Sequence, residues 1–513
     1  MTAIRSEWNA QDAGLRRAER RRQQVQAPGG RRPGAPEKAA WRTAASLGRI
    51  AVPAGLAAAL CAGLWLGTAD LSAEGRIALG TFGTAVIFWI GTKLDKTFIA
   101  LAVLVIGTAL GQGTSEAAIL SSFGDGMIVL LLAAFVLAAA ITASGLAARC
   151  GGLLLRRARS LRQVVYGMTA GMIALALVMP ATSGRAALLL PVFLAVAAQI
   201  PNPRTIKALA LLIPTVVLLS SAGSLIGAGG NVLAADTILH LEGKRIGYLR
   251  WMMLGLPFAL LSCFGAAWVI LRLFLNAEER RQGLDLAAAP DDLPRGRLSP
   301  REWFVLAVAF ALVLLWCSES LHGLDNATVA LLGALAVTAP RIGALTFKQA
   351  VKGVDWNLLV FMAACLQLGD ALVHSGGAAW VIEGLFDSAS GGRDSLPAFM
   401  ILVVGLGLLS HLVVTSRTAR VSILVPMVLP LAAALGHDAA AFGFILAVAT
   451  GYCLTLPVSA KPLAMMSEID APTFDARDLL KLSAILLPFH AFLLLVFGLW
   501  IWPSLGLPAT GGL

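Results

Sequence analysis

Charge is what this sequence has least of: 13% of its 513 residues are Asp, Glu, Lys or Arg, against roughly a quarter in soluble globular proteins. Cysteine is present but never in a useful arrangement. Cys61, Cys150, Cys263, Cys317, Cys365 and Cys453 stand singly, so neither a disulfide framework nor a zinc spacing is supported, and small buried hydrophobes is the better reading. No HExxH, GxSxG, Walker A or dinucleotide fingerprint occurs, which leaves hydrolysis, ATP-driven work and cofactor chemistry without a motif. The expectation is a chain that is not an enzyme and carries no organic cofactor.

Apolar sequence fills the space: 58% of the residues are hydrophobic. Apolar runs recur from Ile50 to Trp502, each near the ~20 residues that cross a bilayer. The fold class is therefore an all-α polytopic membrane protein, its solvent a lipid bilayer, expected in a bacterial inner membrane. The formal net charge of +11 does not indicate nucleic acid, because it concentrates at one end. Residues 1–46 form a basic, aromatic-poor segment (RRAERRRQQ, Arg16–Gln24) expected to be a disordered cytoplasmic tail. It fixes orientation or, alternatively, contacts lipid or a partner. No cleavable signal-peptide pattern precedes the first apolar run.

Loop charge orders the spans. The first span (residues 47–75, apolar at about 50–68) lies between the basic tail and the acidic Asp70 and Glu74. The second returns to Lys93 and Lys96, the third exits to Glu116 and Asp125, and the fourth re-enters to Arg149, Arg156, Arg157, Arg159 and Arg162. Residues 163–200 then break at PATSGR, Pro180–Arg185, and 207–240 break at SAGSLIGAGGN, Ser221–Asn231. The first break reads as a re-entrant hairpin or as two short spans. The second reads as a broken helix, because clustered glycine weakens a helix interior. A cytoplasmic linker at 276–301 follows.

Residues 302–513 repeat the scheme of 76–275, with a hairpin at 396–436 broken at TSRTAR and a broken helix at 442–467 broken at LPVSAKP. FGDGMIVLLLAAFVLAAAITASGL (Phe123–Leu146) aligns with GVDWNLLVFMAACLQLGDALVHSGG (Gly353–Gly377), and setting Pro191 on Pro426 puts Arg185 on Arg420 and Ser183 on Thr418. Five spans are an odd number, so the two units face opposite ways. The prediction is two inverted five-helix repeats, about 11 spans plus two hairpins, N-terminus cytoplasmic and C-terminus outside. Such repeats place a substrate near the midplane where they meet. Helix N-termini exposed at the four breaks would favour an anion.

These features resemble the divalent anion/sodium symporter family, the di- and tricarboxylate and sulfate transporters, from about Ile77 onward. The resemblance implies secondary active transport of a small anion by alternating access, sodium as coupling ion, and a homodimer. Family members carry Ser-Asn-Thr at each hairpin tip, ten residues before a proline, and a Gly-Thr-Pro-Pro-Asn-like turn in each broken helix. Ser416-Arg417-Thr418 and Ala181-Thr182-Ser183 take the tip positions here. Gly227 to Asn231, preceded by Ser224, and Ser459-Ala460-Lys461-Pro462-Leu463 take the turns. By the resemblance, sodium would sit near Thr182, Ser183 and Gly227.

Two departures stand out. Arg417 replaces the tip Asn, and Lys461 enters the second turn. A guanidinium donates only and ligates no cation, so fixed positive charge is expected to replace one bound sodium. That makes a sodium-independent carrier or an exchanger the leading reading, with a sodium-coupled dicarboxylate symporter the alternative. Arg185 and Arg420 either contact the anion's carboxylate or sulfate oxygens, or cap carbonyls and snorkel. Lys461 either faces the site or reaches the cytoplasmic surface. Asp370, His374 and His411 carry a proton or are solvated span-end groups. A cation/proton antiporter of related fold would need acidic residues at the breaks, and there are none.

Overall fold

A computed structural model describes residues 35–68, 70–198, 200–281, 297–381, 395–469, 471 and 473–510. Most of the expected tail, with Arg16–Gln24, and most of the 276–301 linker lie outside the described residues. Residues 53–513 form one unit, to which the following applies.

Among the described residues the secondary structure is helical, with eight helices long and apolar enough to cross a membrane and several shorter apolar ones. Each anticipated span has its helix. α1 runs Ala35–Gly67, α2 Ala73–Gly91, α3 Lys96–Leu110, α4 Glu116–Phe123, α5 Gly126–Ser144 and α6 Leu146–Arg157. The first hairpin is α7 (Leu161–Ala176) and α8 (Thr182–Ala197). The first broken helix is α9 (Pro203–Ser220) and α10 (Gly229–Glu242), and α11 (Tyr248–Phe274) closes the first half. The second half runs α12 (Pro300–Cys317), α13 (Asn326–Thr338), α14 (Trp356–His374), the hairpin α15 (Leu396–Leu409) and α16 (Arg417–Ala434), the broken helix α17 (Ala439–Ala449) and α18 (Lys461–Ser467), and α19 (Ala476–Val496).

Boundaries moved in three places. α1 begins at Ala35, inside the segment expected to be disordered, where APEKAA places Pro early and good helix formers after it. The second arms of the hairpins begin at Thr182 and Arg417, not near residues 186 and 421. Tip residues read as loop are thus the first helical residues.

The two halves interlock reciprocally. α5 packs on α12 and α13 of the other half, and α14 packs on α2 and α3. Likewise α8 packs on α18, and α16 on α10. Trp89 against Phe361, ring centroids 5.6 Å apart, is one such cross-half contact. Helix faces turned away from this core carry exposed Phe98, Val105 and Leu110 on α3 and Phe310 and Leu314 on α12. Such faces suit hydrocarbon, and the protein is a multi-pass membrane protein.

The two breaks share one backbone course. Ser224 (φ −143°, ψ 144°) and Leu456 (φ −127°, ψ 146°) are extended. Short 3-10 turns follow, Leu225–Gly227 and Pro457–Ser459. Ala228 (φ −159°, ψ 150°) and Ala460 (φ −153°, ψ 144°) are extended again, and helix resumes at Gly229 and Lys461. Gly227 is required by crowding, since a Cβ there would lie 2.5 Å from the Ser221 carbonyl oxygen.

Candidate functional site

Four helix beginnings meet at one cavity of about 510 Å³, within the roughly 300–1,000 Å³ typical of small-molecule sites. Thr182 and Ser183 of α8, Gly229 and Gly230 of α10, Arg417 and Thr418 of α16, and Lys461 of α18 all line it, with Ser416 and Ser459 beside them. Most helices of this chain carry a Ser, Thr, Asp or Asn cap. α8, α10 and α18 do not: Ala181, Ala228 and Ala460 precede them and no side chain accepts from their first amides. Alanine at these positions leaves backbone N–H groups without a side-chain partner at the positive ends of the α8 and α10 dipoles; in the seven-residue α18, Pro462 has no N–H and Leu463 donates to the Ala460 carbonyl at 3.0 Å. α16 alone is capped, by Ser416 Oγ accepting from the Ala419 N–H at 3.3 Å.

Charge around the cavity is unequal. Lys93, Lys96, Arg417 and Lys461 line it against the carboxylates Asp95 and Asp355. Asp95 caps α3, accepting from the Phe98 N–H at 3.0 Å, and accepts from Asn357 Nδ2 at 3.2 Å. The Phe98 N–H holds its carboxyl below the usual range, with Asn357, Thr97 and the Lys461 charge lowering it further against the opposing effect of burial. Lys96 Nζ donates to Thr415 Oγ1 at 3.2 Å, tying α3 to the second hairpin tip.

Arg417 is the hub. Its Nη1 donates to Ser221 Oγ, and its Nη2 donates to Asn231 Oδ1 at 2.6 Å and to the Ala447 carbonyl at 3.1 Å. A hydroxyl, an amide oxygen and a backbone carbonyl from both broken helices thus point at one guanidinium. Asn231 in turn donates through Nδ2 to the Ser221 and Ser224 carbonyls at 2.7 and 2.8 Å, holding the unwound segment closed.

The remaining expected site residues lie behind this wall. Arg185 is fully buried and donates to Ser220 Oγ (3.1 Å) and the Gly227 carbonyl (2.8 Å). Arg420, 1% exposed, donates to the Thr450 carbonyl at 2.8 Å. Both donate to carbonyls and neither lines the cavity, while Arg185 Nε and Arg420 Nε and Nη1 are buried without a hydrogen-bond partner among the described residues. Ser224, Gly227 and Asn231 shape the turn and do not line the cavity. His411 is buried between the Leu408 carbonyl and Thr455 Oγ1 (2.6 and 2.8 Å), while His374 Nδ1 meets the Asp370 carbonyl at 2.9 Å; none of these three lines the cavity. Lys93, Asp95, Lys96, Asp355 and Asn357 went unforeseen, because residues at helix starts and the turns before them reach the site only through the packing of α2, α3 and α14.

Hairpin tips and broken helices that point their beginnings at one cavity, within a helical membrane body, define a secondary transporter. The chain belongs to the sodium:sulfate symporter family, whose transmembrane region matches residues 54–507. It is 27% identical to a membrane protein of Cupriavidus necator over 85% of this chain and 89% of that one. It is 23% identical to the sodium-dependent dicarboxylate transporter SdcS of Staphylococcus saprophyticus over 75% and 80%. A citrate/succinate antiporter of Escherichia coli is 24% identical over 41% of this chain and 42% of that one. The crystal structure of the Alcanivorax borkumensis YdaH transporter, described as having an unusual topology, covers 83% of this chain and 99% of its own at a TM-score of 0.55 and 17% identity. The last likeness concerns the fold.

Proposed function

We propose that this protein carries a small dianion, a dicarboxylate or an oxyanion such as sulfate, across the membrane by alternating access, with the Arg417 guanidinium standing where relatives bind one sodium ion. The observation that carries this is the meeting of three uncapped helix beginnings with a basic surplus in one cavity. Free amides and hydroxyls in a low-dielectric site bind anionic oxygens well. Three oxygen acceptors converging on Arg417 form the kind of nest a cation would otherwise fill.

Arg417 supports a sodium-independent carrier or an exchanger. Thr182 and Ser183 at the first tip, together with the name of the staphylococcal relative, support the second reading, sodium-coupled symport through that tip. Gly227, also expected near sodium, already gives its carbonyl to Arg185. Basic loops favour a cytoplasmic N-terminus, and a homodimer through the outer helices is part of the proposal, checked by light scattering in detergent.

Uptake of labelled succinate and sulfate into proteoliposomes, with external sodium replaced by choline, tests the reading. Uptake of one of them that persists in choline, or that needs a trans anion, is expected. Uptake abolished in choline overturns the fixed-cation proposal, and no uptake of any panel anion overturns the substrate class.

A further inference from the structure

Away from the cavity, Asp125, Asp236 and His240 bring one ligand atom each within 4.8 Å of one another. Asp125 caps α5, its Oδ1 accepting from the Met127 N–H at 2.7 Å. Its Oδ2 lies 3.6 Å from His240 Nε2. Asp236 stands one turn before His240 on α10, and its Oδ2 lies 3.7 Å from the same nitrogen. Both separations are too long for a good hydrogen bond. Asp236 Oδ2 is buried, in a side chain 2% exposed, and has no hydrogen-bond partner among the described residues. A buried carboxylate oxygen left this way is costly.

We propose that Asp125, Asp236 and His240 bind a divalent transition-metal cation such as Zn²⁺, and that the bound ion fastens α10 to the start of α5. Bonds of 2.0–2.2 Å at tetrahedral angles set neighbouring ligand atoms about 3.3–3.6 Å apart, and the two measured edges are 3.6 and 3.7 Å. An imidazole among the donors favours zinc and its neighbours over calcium or magnesium, which prefer all-oxygen shells. Two carboxylates neutralise the dication, and the ion gives Asp236 Oδ2 a short bond in place of the long 3.7 Å approach of His240. His240, 43% exposed, leaves a way in.

The location gives the ion a consequence. α10 begins at the cavity with Gly229 and Gly230 and packs on α16, whereas α5 packs on α12 and α13 of the other half. An ion across the two holds a cavity-forming helix against a helix that packs on α12 and α13. Occupancy therefore slows any cycle in which α10 moves relative to α5.

The test uses the purified full-length chain, stripped with chelator and dialysed against Zn²⁺. One ion per chain is expected, with affinity lowered at least tenfold in His240→Ala and in Asp236→Asn and unchanged in His322→Ala. Zn²⁺ should also raise the unfolding temperature of the parent protein and leave that of His240→Ala in place, which separates binding from misfolding. No stoichiometric binding, as for a cluster that holds only a proton, or binding unaffected by His240→Ala overturns the site. In proteoliposomes Zn²⁺ should slow uptake several-fold in the parent and not in His240→Ala; an unchanged rate with the ion bound overturns the fastening. This last arm alone rests on the proposed function, and a preparation that binds Zn²⁺ but transports nothing counts against that function, not against the site.

Discussion

Arg417 and Asn231 join the two halves of the protein: the guanidinium Nη2 of the second hairpin donates to the amide oxygen of the first broken helix at 2.6 Å. Arg417→Ala would leave that oxygen, the Ser221 hydroxyl and the Ala447 carbonyl without their donor. Losing hydrogen bonds from a charged group costs roughly 1.5–3 kcal/mol. Uptake should fall at least tenfold with a lowered unfolding temperature, and Arg417→Lys should recover only part, because a single ammonium nitrogen cannot span acceptors that two separate guanidinium nitrogens reach.

Arg417→Asn separates charge from shape. It supplies a carbonyl oxygen in place of a fixed cation, beside the three oxygens of Ser221, Asn231 and Ala447 that face Arg417. Uptake that ignored sodium in the parent should become sodium-dependent in this variant, measured by the same choline replacement. A variant equally active in choline would show that Arg417 does not stand for a bound ion.

Arg185 and Arg420 should behave differently from Arg417. Each is buried away from the cavity and donates one Nη to a backbone carbonyl, of Gly227 and Thr450 respectively. Truncation to Ala empties a packed site, and large-to-small changes in cores cost about 2–5 kcal/mol. The expected outcome is a lower yield of folded protein and a lower unfolding temperature, with a near-parental KM in the folded fraction. A KM raised tenfold with stability intact would place these arginines on the anion.

Asp95 carries a pH dependence. Its carboxyl titrates lower in the folded protein than in the unfolded chain, chiefly through the Phe98 N–H. The stability it contributes is therefore present above the ordinary carboxylate range near 3.8 and is lost as pH falls through its depressed folded value. Asp95→Ala should remove the cap of α3, at about 1 kcal/mol. Asp95→Asn keeps a cap and deletes one of the two carboxylates lining the cavity. It should lower KM for a dianion about two- to fivefold, an effect that shrinks as salt rises.

Gly227→Ala tests the turn itself. The added Cβ would sit 2.5 Å from the Ser221 carbonyl oxygen, where backbone has to move. Overpacking of this kind costs roughly 1–3 kcal/mol. Uptake should be lost with the helices retained by circular dichroism.

The four breaks were legible because Gly, Pro, Ser and Thr interrupt apolar runs in matched register, and the shared backbone course of Ser224–Gly229 and Leu456–Lys461 follows that register. The cavity position of Thr182, Ser183, Ser416, Arg417, Thr418, Ser459 and Lys461 follows as well. What a linear reading lacked was side-chain direction. Arg185 and Arg420 lie three residues into their helices, on the face turned to the protein interior, so their charge meets carbonyls instead of the cavity. Lys96 and Asn357 sit at ordinary helix starts, and only the packing of α3 against α14 brings them to the site. The Asp236–His240 spacing on α10 was visible in the sequence, but its third member, Asp125, arrives from another helix.

The reciprocal packing of the halves also bears on biogenesis. α5 finds its partners α12 and α13 only after the intervening hairpin, broken helix and linker have been made. Until then its buried face waits in the membrane against lipid or a chaperone. The first half is therefore expected to depend on the second for its stability. Cutting the chain in the 276–301 linker and expressing both pieces together should restore the protein, while either piece alone should be degraded.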